Sequence, residues 1–240
     1  MFVSNKLKVP GEDWEVKFAS DSSFVWKCLY LLGHFLKLFF CRLQVEGREH
    51  VPAQGGFVYA CNHNLGPDYV VLGWTSPRQV YFMAKSEIFY VSPLLTRLLE
   101  SIGTFPIRRG AGDNGALTSA VEIVHQGKAL GMFPEGTRSR DGRLQPGRSG
   151  VARIALTADV PILPVVVLNS EKMFPRPWLP WNRPLVTVRY GEPFMPSGDP
   201  ANPGDIQPTT DRTMREIAGL LPPERRGIYG EAPVPAELSL

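Results

Sequence analysis

The sequence contains few of the residues that mark metal centres, disulfide frameworks or nucleic-acid surfaces. Its 240 residues include only three cysteines, Cys28, Cys41 and Cys61. Because their number is odd and their spacing does not match a metal site, we expect reduced, packed thiols of a cytosolic protein and no bound metal. The net charge of +3 is small, and no dense basic run carries interleaved aromatics. Nucleic acid is therefore not an expected partner.

The sequence also lacks an apolar run long enough to span a bilayer. A spanning helix requires about 20 uninterrupted apolar residues, whereas Lys27, His34 and Lys37 interrupt the most apolar segment, 22–43. At 100° per residue these three and Arg42 fall on one stripe, which predicts an amphipathic helix lying in a membrane surface. A helix packed on the core of its own domain is the alternative interpretation. The polar residues ahead of this segment predict that no cleavable signal peptide is present.

From residue 43 onward, short apolar runs of strand length alternate with segments of helical spacing. Strands are predicted at 56–61, 79–84, 103–107, 129–133, 161–167 and 185–191, and helices at 93–103, 114–127, 150–159 and near 209–221. This alternation predicts an α/β fold, a layered mixed or parallel sheet flanked by helices. The proline-rich stretch 173–184 is predicted to be a loop.

The stretch CNHNLGPDYV places His63 and Asp68 five positions apart, directly after a predicted strand. α/β enzymes commonly present reactive groups at such strand ends. Gly66 and Pro67 allow the chain to turn back, so that Asp68, at the start of the next helix, can reach the far ring nitrogen of His63. A carboxylate there would fix the imidazole tautomer and make the histidine a general base. On spacing alone, an incidental histidine in a surface loop is the alternative.

No serine lies in a G-x-S-x-G turn, so the hydroxyl that His63 would activate is predicted to belong to a substrate.

Charged residues emerge directly from an apolar strand in the stretch MFPEGTRSR, residues 132–140. Such charges are rarely needed for folding. Arginine can bind a phosphate through two hydrogen bonds, and Gly136 allows the backbone to approach a ligand. The stretch is therefore a candidate anion site. A structural ion pair between Glu135 and an arginine is the alternative.

Two further arginines, Arg108 and Arg109, end another predicted strand in the stretch GTFPIRR. The GAGDNG that follows places Gly110, Gly112 and Gly115 at the G-x-G-x-x-G spacing of a dinucleotide site. We favour a loop that opens a helix, because the two arginines separate the strand from the glycines and an aspartate would face the pyrophosphate.

Several of these motifs occur together in one known family. The runs VEGREHVPAQGGFVYACNH, FMAKSEIF, GTFPIRR, FPEGTRS and VPILPVVV, with the H-x-x-x-x-D of His63 and Asp68, resemble the glycerolipid acyltransferases in order and near-spacing. The resemblance covers residues 43–230 and is greatest to the bacterial 1-acylglycerol-3-phosphate acyltransferases. One departure is Leu65, which stands where the family often has serine.

The resemblance implies a reaction that agrees with the residues. His63 would take a proton from an acceptor hydroxyl, which attacks the thioester of acyl-CoA or acyl-carrier protein, and Asp68 would orient His63. No metal or organic cofactor is implied.

The residues implied to bind the acceptor lie in loops after predicted strands. Arg138, with Lys85 or Arg108, would hold the phosphate of the acceptor. Glu135 would position the glycerol or brace the arginines. The full implied set is Lys85, Arg108, Glu135, Gly136, Thr137 and Arg138.

The resemblance also implies an organisation and partners. Residues 1–42 would form an N-terminal helical membrane-docking segment, 43–230 the glycerophospholipid acyltransferase domain and 231–240 a C-terminal tail. The implied partners are membrane phospholipids, lysophosphatidate and the acyl donor, at the cytoplasmic face of the cell membrane in a peripheral or monotopic arrangement. Three alternatives stay open: a different acceptor (glycerol 3-phosphate, another lysophospholipid or a glycolipid), a non-catalytic membrane-docking protein, or a nucleotide-binding oxidoreductase.

Overall fold

The chain folds into a seven-stranded sheet covered by helices on both faces. The computed structural model describes residues 6–8, 15–17, 22–107, 114–173 and 183–230. Its helices are α1 (Phe24–Phe40), α2 (Asp68–Thr75), α3 (Pro93–Ser101), α4 (Asn114–His125), α5 (Gly150–Ala158) and α6 (Pro203–Leu220). Its strands are β1 (Lys6–Lys8), β2 (Glu15–Lys17), β3 (Arg42–Glu46), β4 (Phe57–Cys61), β5 (Val80–Lys85), β6 (Thr104–Ile107), β7 (Ala129–Met132), β8 (Ile162–Leu168) and β9 (Leu185–Tyr190).

The main sheet has the strand order β3-β9-β8-β4-β7-β5-β6. The strands from β8 to β6 in that order are parallel, whereas β9 runs antiparallel to β8 and β3 is parallel to β9. The fold class predicted from the sequence, a mixed and largely parallel sheet flanked by helices, is therefore confirmed. Parallel strands present their carboxyl ends at one edge, so the loops after β4, β5, β6, β7 and β8 all leave the sheet at the same edge.

The central strand β4 shows how the two layers form. All five of its residues are buried, and successive side chains of a strand point to opposite faces. Val58 and Ala60 belong to the core that contains residues of α4, α5 and α6. Phe57, Tyr59 and Cys61 belong to the core on the other face, which α2 covers. Burial on both faces explains why β4 and β8 are continuous apolar runs in the sequence.

Helix α1 packs on the domain and also exposes apolar side chains. Trp26 and Tyr30 are buried, and α1 contacts α2 and α3. Phe24, Leu32 and Phe35 are exposed, at 79%, 50% and 59%. Packing on the domain, one of the two arrangements that the sequence left open, is therefore observed, and the same helix keeps apolar side chains exposed. No helix in the described part of the chain is both long and apolar enough to cross a bilayer.

Several elements differ from the sequence-based predictions. The short strands β1 and β2 were not predicted. Strand β3 was not predicted either, because its short pattern of alternating polar and apolar residues follows a strong helical signal directly. Helix α6 begins at Pro203 rather than near 209. The Asn202 side chain accepts a hydrogen bond from the Gly204 amide and caps the helix, and Pro208 lies inside it. The predicted 173–184 loop falls mostly outside the described residues.

Candidate active site

The predicted site residues come together because β4 lies between β8 and β7 in the sheet. His63 lies two residues past the end of β4, and Glu135 lies three past the end of β7. Asp68 is the first residue of α2, as predicted. Residues far apart in the sequence therefore meet at the carboxyl edge of the sheet, where ligands bind in open α/β folds.

His63 and Asp68 form the hydrogen-bonded pair that the sequence predicted. The distance from His63 Nδ1 to Asp68 Oδ2 is 3.0 Å, and the Asp68 side chain is fully buried whereas that of His63 is 15% exposed. Asp68 Oδ2 also accepts the backbone N–H of Asn64 at 2.6 Å. A carboxylate bonded to Nδ1 places the ring hydrogen there and leaves the lone pair on Nε2. Among the described residues, none hydrogen-bonds Nε2.

Glu135 holds the backbone on both sides of the site. Its side chain is 2% exposed; Oε1 accepts the backbone N–H of His63 at 2.6 Å and Oε2 accepts that of Gln145 at 2.8 Å. Burial raises the pKa of Glu135 to about 7, although the two N–H donors oppose the shift. Both carboxylate oxygens therefore accept hydrogen bonds from backbone N–H groups. The resemblance implied other roles for Glu135, namely positioning the glycerol or bracing the arginines.

The turn after β7 has a conformation that requires glycine. Gly136 has a positive φ of 67°, and its amide donates to the carbonyl of Phe133 at 3.0 Å. A Cβ on Gly136 would also lie 2.8 Å from Cδ of Arg148. Thr137 and Arg138, the next two residues, are exposed. The turn thus presents Arg138 to solvent beside the edge that holds His63.

Two predicted cationic residues have no described side-chain position. Lys85 is the last residue of β5, whose carboxyl end lies at the same edge as that of β4. Arg108 lies just past β6, outside the described residues, as do Arg109, Gly110 and Gly112. Gly115, the last glycine of the G-x-G-x-x-G spacing, belongs to α4 rather than to the loop before it.

Several residues that support His63 were not identified from the sequence. Phe133 stacks on the imidazole with ring centroids 4.0 Å apart, and Ser139 donates its backbone N–H to the His63 carbonyl at 2.7 Å. Asn62 and Asn64 both donate to the Val167 carbonyl, at 3.1 and 3.0 Å, and tie the loop to β8. The asparagines on either side of His63 were a signal that sequence reasoning could have used.

Comparison with known proteins agrees with this arrangement. A family model described as Acyltransferase matches residues 42–168, which include β4, the His63–Asp68 pair, the Glu135 turn and β8. The chain belongs to the acyltransferase family. A crystal structure described as the 1-acyl-sn-glycerophosphate (LPA) acyltransferase PlsC from Thermotoga maritima shares the fold, with a TM-score of 0.64 at 24% identity over 81% of this chain and 79% of that one.

The chain is also similar in sequence to curated acyltransferases. A chloroplastic 1-acyl-sn-glycerol-3-phosphate acyltransferase, BAT2, from Brassica napus is 32% identical over 57% of this chain and 40% of its own length. The protein of that activity from Bacillus subtilis is 31% identical over 51% of this chain and 60% of its own length. The human 1-acyl-sn-glycerol-3-phosphate acyltransferase alpha is 27% identical over 78% of this chain. The chain thus spans 40% and 60% of the length of the first two.

Proposed function

We propose that this acyltransferase moves an acyl chain from acyl-CoA or acyl-carrier protein to the free hydroxyl of lysophosphatidate and so forms phosphatidate. The observation that supports the reaction most directly is the His63–Asp68 pair, with Nε2 left as the basic nitrogen at the sheet edge. The relatives' names, 1-acyl-sn-glycerol-3-phosphate acyltransferases, support lysophosphatidate as the acceptor.

The reaction is a general-base acyl transfer. His63 Nε2 takes the proton of the acceptor hydroxyl as its oxygen attacks the thioester carbonyl carbon. The C–O bond forms, the C–S bond breaks, and the imidazolium returns the proton to the departing thiolate. Asp68 stabilises the imidazolium and holds the ring. Because the acceptor oxygen attacks the thioester directly, no covalent acyl-enzyme is needed.

The acceptor phosphate would lie against the turn after β7. Arg138 is exposed there, and a guanidinium can bind a phosphate oxygen pair. Lys85 and Arg108, which follow β5 and β6 in the sequence, are proposed as further cations of this pocket. Glu135 would act through the backbone, because its two oxygens hold His63 and Gln145.

A lipid acceptor and a lipid product require access to a membrane. We propose that the protein binds the cytoplasmic face of the cell membrane peripherally, with α1 as part of the contact. The exposed apolar side chains of α1 support this placement.

The test is a panel of acceptors with one labelled acyl-CoA, scored by thiol release. We expect lysophosphatidate to be preferred over lysophosphatidylcholine and monoacylglycerol, because a phosphomonoester carries nearly two negative charges. Arg138→Ala should raise KM for lysophosphatidate about tenfold or more, as for the loss of a charge-assisted hydrogen bond, and should change KM for acyl-CoA much less.

Two outcomes would contradict the proposal. A preference for glycerol 3-phosphate, a glycolipid or a neutral acceptor would show that lysophosphatidate is not the acceptor. Equal losses on phosphorylated and neutral acceptors would make Arg138 a structural residue. Arg212, which lies over the Phe194 ring away from this turn, offers a matched arginine-to-alanine control.

A further inference from the structure

The loop after β8 places one hydroxyl against the buried carboxylate of the pair. Ser170 begins a 3-10 helix, Ser170–Met173, two residues past the end of β8. Its side chain is fully buried, as is that of Asp68. Ser170 Oγ donates a hydrogen bond to Asp68 Oδ1, the carboxylate oxygen that does not contact His63. Asp68 therefore has a donor on each oxygen.

The chain is built to allow this approach. Gly66 lies in the loop between His63 and Asp68, and a Cβ on it would collide with the backbone of Ser170 and Glu171. The φ of Gly66 is not in the left-handed region. Close packing against the 3-10 helix, rather than a special turn, therefore requires glycine at this position.

We propose that Ser170 is a positioning residue of the acyltransferase, which fixes the Asp68 carboxylate and through it the His63 ring. A buried carboxylate oxygen without a donor is costly, and the free carboxylate could turn about its Cβ–Cγ bond. A hydrogen bond to the carboxylate also weakens its hold on a neighbouring proton. Ser170 thereby holds the Asp68 carboxylate against Nδ1 of His63 and keeps Nε2 aimed at the edge of the sheet.

Other titratable groups lie near the His63–Asp68 pair and contribute to the electrostatic environment of the pair. Burial raises the pKa of the Cys61 thiol at the end of β4, so that thiol is neutral. Glu135 and Asp141 come from the loop after β7, and Glu135 interacts with Asp68 as a like charge. Glu171, beside Ser170, pairs with Arg225 at 3.1 Å. None of these groups replaces the Ser170 hydroxyl at Oδ1 among the described hydrogen bonds.

The test compares Ser170→Ala with Ser170→Thr, which keeps a hydroxyl, and with Ser76→Ala. Ser76 is equally buried, and its hydroxyl bonds Tyr59 and Arg78 away from the site. The first measurement is an NMR titration of the His63 ring, assigned by comparison with His63→Ala, which needs no substrate. The second is the pH profile of kcat/KM with lysophosphatidate and acyl-CoA.

We expect Ser170→Ala to move the midpoint of the His63 titration and the acidic limb of the profile upward by about half a pH unit. Its kcat should fall on the order of tenfold with little change in either KM. Ser170→Thr and Ser76→Ala should titrate like the wild type. If Ser170→Ala does not fold, Ser170→Cys, whose thiol is a weak donor, should show the same upward movement.

A wild-type titration in the folded Ser170→Ala or Ser170→Cys protein would overturn the inference. The general-base role of His63 belongs to the proposed function, on which the inference rests. The two can fail separately, because lack of transfer to lysophosphatidate by the wild type would reject the proposed acceptor, whereas the NMR titration reports on Ser170 whatever the acceptor is.

Discussion

At the scale of single residues, the backbone around His63 is held as firmly as its ring. The amide of His63 donates to Glu135 Oε1 and its carbonyl accepts from Ser139, at 2.6 and 2.7 Å. The ring is fixed by Asp68 on one nitrogen and by Phe133 on one face. A histidine held in this way would need little reorganisation to act as the proposed general base.

Replacing either member of the pair should separate catalysis from folding. His63→Ala should lose essentially all acyl transfer while the far-UV circular dichroism and the unfolding midpoint stay near those of the wild type, because the buried Asp68 carboxylate keeps its hydrogen bonds from Asn64 and Ser170. Asp68→Asn should lower kcat on the order of 10² or more, because an amide favours the wrong tautomer. Near-normal turnover by His63→Ala would end the mechanism proposed above.

Glu135 should link folding to pH. Its folded pKa of about 7 lies above the ordinary glutamate value of 4.5, so the folded state binds the proton more tightly than the unfolded state does. This contribution to stability is fully present below the unfolded pKa and is lost as pH rises through 7. The free energy of unfolding should therefore fall between pH 5 and pH 8, by an amount on the order of 2 kcal/mol.

Urea denaturation of the wild type and Glu135→Gln at both pH values measures this dependence. The glutamine does not titrate, so its stability should change less between the two values. The variant should also be less stable by about 1–3 kcal/mol at pH 5, because its amide group places a donor against a backbone N–H. An equal pH dependence in both proteins would show that other groups are responsible.

At the scale of elements, the strands after residue 56 were predictable because β4, β7 and β8 are short apolar runs bounded by polar residues. The strand-end positions of His63 and Glu135 followed from them. The contacts of Ser170 and Gln145 could not be predicted in the same way. Ser170 lies 102 residues from Asp68, and Gln145 contributes only its backbone amide. Neither contact leaves a local pattern in the sequence.

The segment after α6 holds the loop that carries Arg138. The Leu144 amide donates to the Arg225 carbonyl at 2.9 Å, and the Gly147 amide donates to the Tyr229 hydroxyl at 3.1 Å. Both donors lie in the loop that Glu135 holds through Gln145. The C-terminal segment thus fixes the loop from outside while Glu135 fixes it from inside.

Tyr229→Phe should loosen this loop without unfolding the domain. The loss of one hydrogen bond should cost about 1 kcal/mol of stability and increase hydrogen exchange at residues 144–148. KM for lysophosphatidate should rise more than KM for acyl-CoA. Tyr90→Phe, at a 76% exposed position, is the matched control. Unchanged exchange in Tyr229→Phe would show that the remaining contacts fix the loop by themselves.

At the scale of the whole molecule, apolar side chains are exposed on several elements around the site. Leu65 and Tyr69 lie next to the His63–Asp68 pair, at 55% and 46% exposure, and α2 contacts α1. Tyr90, before α3, and Leu94, in α3, are 76% and 78% exposed. Scattered exposed apolar residues are ordinary, whereas a concentration on contacting elements indicates an interaction surface.

Deleting residues 1–42 would not test membrane binding cleanly, because Trp26 and Tyr30 of α1 are buried in the domain. The exposed side chains of α1 allow a sharper experiment. Leu32→Glu combined with Phe35→Glu should reduce binding to anionic vesicles severalfold or more, because two apolar contacts are lost and two negative charges are added. Unfolding free energy should change by less than about 1 kcal/mol, since both positions are exposed.

Met195→Glu is the control for this pair. Met195 is 50% exposed, and its neighbour Phe194 pairs with Ile162 at the amino end of β8, away from the edge that holds His63. The substitution adds a charge at a similarly exposed apolar position on the opposite end of the sheet, so vesicle binding should stay near the wild-type value apart from the added charge. If the α1 double variant sediments with vesicles as the wild type does, the exposed face of α1 is not the membrane contact. A loss of binding free energy in Met195→Glu about half of that in the double variant would attribute the effect to net charge, because the control gains one negative charge and the double variant gains two.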